Sequence, residues 1–566
     1  MPSAMSPHWP AHLSSKLTVP ATNLFYNAEV SAARFPDKPF LSFYGKAVTF
    51  AQFKDQAVHM AGFLQRRCGI AAGERVIIFM QNCPQWAIAF YAALRANAVV
   101  VPVNPMNTTE ELRHYIEDSG ARAIFVAQEL FPRLQPLLNE GVLAPEQCIV
   151  VTYSDYLSDE PETVPPEFVL APRHRVDSRV PAWSDALAAR LSPGALLAGP
   201  NDLCVIPYTS GTTGKPKGCM HTHYSVMCTA VGGAQWFASS QDVVQLAVLP
   251  LFHVTGMQGG MNAPLYNGAT VVMLARWDRD AAASAIERHR IAGWHAMSTM
   301  VVDFLSNPRL GDYDISSLRW MRGGGAAMPE ALANKLKEKL GVGYIEGYGM
   351  SETIAATHFN PAHRPKPQCL GIPVFDVDAR IVDPATLVEI PRGETGEIVI
   401  CAPQVMQGYW RNPEATREVF VEIDGRWFLR TGDLGRVDEE GYYFMTDRLK
   451  RMINVSGYKV WPAEVEAQLY HHPLIQEACV IATRDSRRGE TVKALVVLDA
   501  RRSEEVRAED IIDWARTCMA SYKVPRIVEF VGSLPKSASG KVLWRQLQDA
   551  ETSRESTHAD DSVSRA

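Results

Sequence analysis

From about residue 40 the chain alternates short apolar runs with segments whose apolar residues recur at helical spacing. Short continuous apolar runs read as strands buried on both faces, and a 3.6-residue apolar period reads as an amphipathic helix. On that reading residues 75–80, 98–103 and 123–126 are strands, with helices at 85–96 and 109–119 between them. Such alternation predicts a parallel sheet covered by helices. The rhythm breaks over 157–200, where Pro-rich, charged sequence without periodicity predicts a long surface excursion. It resumes with a strand at 203–206 and continues through a strand at 270–274 and a helix at 329–340.

Between 370 and 447 the pattern turns to short strands punctuated by Gly and Pro, at 379–382, 396–400, 427–429 and 442–444. These predict a small antiparallel or barrel-like part. Beyond 450, helices at 462–470 and 508–519 and strands at 477–483 and 493–497 predict a separate α+β domain. The expected fold is α/β: a large N-terminal domain of two parallel-type α/β subdomains plus a small β-barrel-like subdomain, then a small α+β C-terminal domain. The expected boundaries are a loose segment at 1–24, the N-terminal domain at 25–446 with its barrel-like part at 370–446, a connection at 447–450, the C-terminal domain at 451–548 and a disordered tail at 549–566.

The 566 residues suit three or four domain-sized units at roughly 150 residues each. Apolar residues at 47% and charged residues at 21% exclude a disordered or fibrous chain. Against 62 acidic residues stand 56 basic ones, a net charge of −6, which argues against a nucleic-acid partner. The ten cysteines form no C-x-x-C pair and read as reduced thiols. The N-terminus lacks the basic and apolar regions of a signal peptide. The most apolar stretch, 86–103, is interrupted by Arg95 and Asn97 and falls short of the ~18 uninterrupted apolar residues of a membrane span. A soluble, cytoplasmic chain without a transmembrane segment is expected; a peripheral membrane contact and a homodimer stay open.

The strongest local signal is Tyr208-Thr-Ser-Gly-Thr-Thr-Gly-Lys-Pro-Lys-Gly218, which follows an apolar strand. Its glycines free the backbone for positive φ and close approach to an anion. Thr209, Ser210, Thr212 and Thr213 add donors, and Lys215 and Lys217 add charge. Together they make a concave, donor-lined loop for a polyphosphate. It is not a Walker A loop, because Pro216 follows Lys215 where Ser or Thr would be needed.

This loop resembles the signature of the adenylate-forming superfamily: acyl-CoA synthetases, aryl-CoA ligases, luciferases and the adenylation domains of peptide synthetases. Similar blocks occur in family order: Leu249-Pro-Leu-Phe-His-Val-Thr-Gly256, Arg322-Gly-Gly-Gly-Ala-Ala-Met-Pro329, Glu346-Gly-Tyr-Gly-Met-Ser-Glu-Thr353, Trp427-Phe-Leu-Arg-Thr-Gly-Asp433, Thr446-Asp-Arg-Leu-Lys-Arg451, Ser456-Gly-Tyr-Lys-Val-Trp-Pro-Ala-Glu-Val-Glu466 and Lys536-Ser-Ala-Ser-Gly-Lys541. The resemblance covers about 25–545. It implies that Thr209, Ser210, Gly211, Thr212, Thr213, Gly214 and Lys217 wrap the phosphates of ATP. It places Gly325, Ala326, Gly347, Tyr348 and Gly349 around the adenine and acyl pocket, with the Tyr348 ring on the adenine. Ser351 then contacts the α-phosphate, Glu352 holds Mg2+, Asp433 takes the ribose hydroxyls, Arg448 contacts the ribose and Lys541 serves adenylation. The C-terminal domain would be mobile about a hinge at 447–450 with Lys450 as pivot, bringing Ser456 and Gly457 to the pantetheine of coenzyme A.

His253 would close the carboxylate pocket, and Gly256, Met257 and Gly260 would line an acyl pocket; small residues leave room there and Met adapts its shape. Arg276, at the end of a strand, is a candidate for the nucleotide phosphates of coenzyme A, the thiol expected because no carrier module follows. The implied activity is an ATP-dependent, AMP-forming acid–CoA ligase. It activates a carboxylic acid, foremost a medium- or long-chain fatty acid, as acyl-AMP with pyrophosphate release, then transfers the acyl group to coenzyme A. An aryl-acid (coumarate-like) ligase is the alternative, followed by a luciferase-like oxygenase and an idle nucleotide-binding scaffold. Two residues depart from the family pattern: Trp461 replaces a smaller residue, and His221 stands where relatives often carry an aliphatic one. The spacing of His221 from His223 invites a metal reading that lacks a carboxylate partner.

Overall fold

The computed structural model describes residues 6–209, 216–325, 328–455, 458–485, 489–498, 506–536 and 542–563. The chain divides into two compact units, Met1–Asp378 with Ile400–Leu429, and Ala379–Val399 with Arg430–Ala566. The connection at 447–450 therefore lies within the second unit.

The first unit is built on two mainly parallel sheets. The smaller has six strands, in spatial order His221–Thr222, Leu203–Val205, Val99–Pro102, Arg75–Phe79, Ala121–Ala127 and Cys148–Val151. The inner strands are apolar throughout because helices cover both faces. Helix Pro84–Arg95 is buried on nearly every side, with proline at its first turn; its Tyr91 hydroxyl bonds Asn262 Oδ1 at 2.9 Å. The most apolar stretch is thus core, and no helix among the described residues is long and apolar enough to cross a membrane. Helix Thr109–Ser119 opens on a reciprocal Thr108–Glu111 capping box and stops at Gly120, whose φ is 61°.

The larger sheet runs Ile372–Pro373, Ala355–Phe359, Tyr344–Met350, Trp320–Gly324, Gly293–His295, Val244–Ala247, Thr270–Met273, Pro39–Phe43, Lys46–Thr49. Its central strands are parallel and its edge pairs antiparallel. The phosphate loop and the Ser351 turn both leave strands at their carboxyl ends, where ligands of α/β sheets bind.

The stretch 157–200 corrects the expectation of a surface excursion. It contains helices Glu167–Leu170 and Trp183–Ala188, and Val169, Val180, Trp183 and Ala186 are buried in the main core. Widely spaced apolar anchors hold it down, and these leave no periodic signal.

In the second unit, strands Tyr458–Val460, Ile453–Val455, Gly489–Leu498 and Ile475–Asp485 form a sheet that Ile527–Phe530 extends. Its own core includes Ile453, Val465, Leu469, Val480, Val496 and Ile511. The tail expected to be disordered from 549 is instead part of helix Trp544–Val563. Glu551 anchors it, bonding Lys493 Nζ at 2.6 Å and the Thr483 hydroxyl at 3.0 Å.

Candidate active site

The stems of the phosphate loop are the paired strands Tyr208–Thr209 and Lys217–Gly218, which set Thr209 opposite Lys217. Ser210, Gly211, Thr212, Thr213 and Gly214 lie outside the described residues. Beyond Lys217 the chain is clamped on two sides. On one side Trp410 N donates to Gly218 O at 2.7 Å, Met220 N to Gly408 O at 2.9 Å and Gln407 N to Met220 O at 2.9 Å. On the other, His221 Nε2 lies 2.7 Å from the Ser351 carbonyl. A carbonyl only accepts, so Nε2 carries the hydrogen.

These clamps gather a cluster. The Tyr409 hydroxyl donates to Glu352 Oε1 at 2.8 Å. Lys217 Nζ lies 5.1 Å from the centroid of the same ring. Burial, then the Glu352 charge, pushes the Tyr409 hydroxyl well above the usual tyrosine range, so it stays a donor. A cation, a ring and a buried carboxylate thus meet beside the loop stem.

Glu352 sits in a strained turn. Strand Tyr344–Met350 runs into the short turn Ser351–Thr353, and then Ile354 and Ala355 take φ of 45° and 102°. Left-handed backbone at a β-branched residue persists only where the surroundings impose it. Here Met350 N donates to the Thr353 hydroxyl at 3.0 Å, and that hydroxyl donates to Ala355 O at 2.7 Å. Met406 N takes the Glu352 carbonyl at 2.8 Å. At Gly349 a Cβ would fall 1.8 Å from Ala355 O, so only glycine lets the returning strand close. Gly347 stands in register with Gly324, and Tyr348, buried, meets the His358 ring edge-on at 5.6 Å. Gly325 follows at φ 82°; Ala326 lies outside the described residues.

Burial pushes the His221 and His223 imidazoles down to about 4. His223 holds the N-terminal segment, accepting from Leu24 N at 3.2 Å. Among the described residues no group of three or more His, Cys, Asp or Glu side chains is placed to hold a metal ion.

The residues expected around the acid are dispersed in role. His253 is exposed, its ring 4.3 Å from that of Phe252. Gly256 leaves space for the Pro250 carbonyl, 2.2 Å from where its Cβ would be. Met257 is fully buried in the core, and a Cβ at Gly260 would stand 3.4 Å from Ala247 Cβ. Arg276 is exposed and stacks on Phe168 at 4.5 Å.

In the second unit, Asp433 and Arg448 face each other in register on paired strands, with Arg448 Nε 3.0 Å from Asp433 Oδ1. The structure therefore brings together the two residues expected at the ribose. Lys450 lies in the turn Leu449–Arg451. Arg451 is fixed by Glu466 and by the Val480 carbonyl at 3.2 Å, and Asp447 accepts from Ala463 N at 2.6 Å. Ser456, Gly457 and Lys541 lie outside the described residues.

Tyr409 carried no sequence signal: it lies 57 residues from Glu352 in a stretch without titratable pattern. His221 carried one, as a departure from the family pattern.

Residues 28–410 match the family of AMP-binding enzymes, and 464–541 match the AMP-binding enzyme C-terminal domain. A long-chain-fatty-acid–CoA ligase of Bacillus subtilis (strain 168) is 35% identical over 96% of this chain and 97% of its own. A feruloyl-CoA synthase of an Amycolatopsis species is 35% identical over 89% of this chain and 94% of its own. Among solved structures, the anthranilate CoA ligase AuaEII in complex with anthranoyl-AMP superposes with a TM-score of 0.83 at 27% identity, covering 95% of this chain and 99% of that one.

Proposed function

Because the chain belongs to the AMP-binding enzyme family and is an AMP-forming acyl-CoA synthetase, we propose that the acid it activates is a medium- or long-chain fatty acid. The carboxylate attacks the α-phosphate of ATP and pyrophosphate leaves; the thiol of coenzyme A then takes the acyl group and AMP leaves. The similarity to a long-chain-fatty-acid ligase across 96% of the chain carries the choice of acid. The aryl-acid reading stands second, favoured by the likeness to a feruloyl-CoA synthase.

Both reactants of the first step are anions, so the site must neutralise charge and align them. Lys217 supplies a cation at the loop stem, and Thr209 to Gly214 would cradle the phosphates. Glu352, oriented by Tyr409, suits Mg2+. That ion is commonly held by one or two carboxylates and completed by phosphate oxygens, and it would neutralise phosphate charge here. Ser351 would meet the α-phosphate. Tyr348, with the Gly325–Ala326 and Gly347–Gly349 backbone, would hold the adenine, and Asp433 with Arg448 the ribose. Lys541 would serve adenylation. Rotation at Lys450 would then exchange it for a thiol channel past Ser456 and Gly457, with Arg276 on the coenzyme A phosphates. His253 would cap the acid's carboxylate above Gly256, Met257 and Gly260.

The test is pyrophosphate release across a panel of acids, with and without coenzyme A. Fatty acids of medium or long chain should give the largest release, with thioester formed only when coenzyme A is added. Release from aryl acids alone would replace the fatty-acid reading with the aryl one. No acid-dependent release from any member would end both.

A further inference from the structure

Arg322 is a mostly buried cation. Its guanidinium carbon lies 3.5 Å from the centroid of the Phe237 ring and 3.8 Å from that of Trp320. Among the described residues its Nε has no hydrogen-bond partner and no carboxylate pairs with it. Desolvation alone pulls its pKa down to about 9. Stacking against two rings offsets part of the cost of burying a charge, but rings satisfy no N–H donor in its plane.

Its neighbours connect this cation to the stretch expected to line the acyl pocket. His295, Arg322 and Ile345 stand side by side on three adjacent strands. Two residues on toward the carboxyl ends come Gly324 and Gly347, then the Ser351–Glu352 turn. The ring of His295 lies over Gly259, 2.6 Å from where its Cβ would be. Gly259 belongs to the same stretch as Gly256, Met257 and Gly260. Phe359 covers Gly347 and packs on Phe237 at 4.9 Å. The walls here are aromatic, and the polar groups they surround are Arg322 and a neutral imidazole, since burial pushes His295 down to about 3.

We propose that Arg322 is a specificity-determining residue: the acid carries a hydrogen-bond-accepting oxygen remote from its reacting carboxylate, and the Arg322 guanidinium receives that oxygen beside His295. This rests on reading the stretch from Gly256 to Gly260 as the acid's wall. A plain alkyl or unsubstituted aryl end would leave the buried Nε–H unmatched, and a site built to bond an oxygen discriminates strongly against its absence. A triphosphate does not fit this place, because Phe237, Trp320 and Phe359 wall it and Lys217 and Glu352 gather elsewhere.

The experiment compares kcat/KM for pyrophosphate release within matched pairs: dodecanoic acid against its ω-hydroxy and ω-carboxy counterparts, and cinnamic acid against its para-hydroxy counterpart. In at least one pair the wild-type protein should favour the oxygenated acid by about 10-fold to 100-fold. Arg322→Met should erase the preference while handling the bare acid as well or better, and Arg322→Lys should keep part of it. A preference for the hydroxy acid assigns a neutral oxygen, and one for the dicarboxylic acid a second anion. Equal efficiency within every pair in the wild type overturns the proposal without any variant, as does a preference that survives Arg322→Met. Pyrophosphate release from no acid at all would instead remove the ligase reading.

Discussion

Replacing His221 with leucine, close in volume and without a donor, removes the 2.7 Å bond to the Ser351 carbonyl. That carbonyl keeps a second donor, Ile354 N at 3.2 Å, so the loss is that of one hydrogen bond, about 0.5–1.5 kcal/mol. The turn it belongs to already holds Ile354 at φ 45° and Ala355 at 102°, each of which costs on the order of 1–3 kcal/mol. The bonds opposing that strain include Thr353 to Met350 and Ala355, Met406 to Glu352, Ile354 to Ser351, and His221 to Ser351. One of these restraints is therefore lost against that strain, and the turn should relax. A loss of about 1 kcal/mol, expressed at the nucleotide site, is about 5-fold in the efficiency with which ATP is used. ATP–pyrophosphate exchange at varied ATP, together with urea denaturation, reads both parts. His221→Leu should raise the KM for ATP about 5-fold and lower kcat less. His221→Gln, whose amide nitrogen can reach the position of Nε2, should recover most of the effect. If Leu and Gln are equally impaired in stability while ATP kinetics stay at wild-type values, His221 is a packing residue and the reasoning fails.

Tyr409→Phe leaves Glu352 without its 2.8 Å donor; a bond to a charged group is worth about 1.5–3 kcal/mol. Magnesium titrations of pyrophosphate exchange should shift to higher magnesium, and unchanged titrations would contradict the assigned role. Lys541→Ala should cripple acyl-AMP formation while sparing thioester synthesis from supplied acyl-AMP, with equal loss in both steps contradicting a two-posture cycle. Burial holds His221 and His223 at about 4 and His295 and His358 at about 3, below the ordinary 6.5 or so. Below that pH the unfolded chain binds protons that the folded one refuses, so stability is full above about pH 6.5 and declines toward pH 4. Glu346, raised by burial to about 7, opposes this, because its folded carboxyl keeps a proton that the unfolded one releases above about pH 4.3. Glu346→Gln should therefore steepen the acid decline in denaturation curves taken between pH 7 and 5, and a shallower decline would contradict the sign.

Elements with local punctuation were legible in the chain. Helix Thr109–Ser119 matches its predicted bounds because Thr108, Glu111 and Gly120 mark both ends, and strand Arg75–Phe79 falls one residue short of its predicted end, its continuous apolar run having marked it. The helical tail was not legible, since its sequence is polar and its support comes from Lys493 and Thr483, 58 and 68 residues away. Trp183 and Val169 escaped notice for the same reason: isolated anchors have no period.

The candidate site divides along the same line. Residues that would touch ATP form strings that a phosphate or a strained turn demands locally, so Thr209, Lys217 and Glu352 could be named before any fold was known. What orients them is non-local. Tyr409 reaches Glu352 across 57 residues and His221 reaches Ser351 across 130. A histidine in place of an aliphatic residue first suggests a metal, yet once folded its neutral ring is a strut. Arg322 extends the point to substrate choice. Within its motif it reads as one residue before three glycines, and only the ring of Phe237, brought from 85 residues away to close over it opposite Trp320 of its own strand, reveals a buried cation with no paired anion among the described residues. Reaction type is thus written in contiguous motifs, whereas the choice of acid is written in side chains that only the sheet register places side by side, which is why relatives at equal identity can act on acids as different as a fatty acid and ferulate.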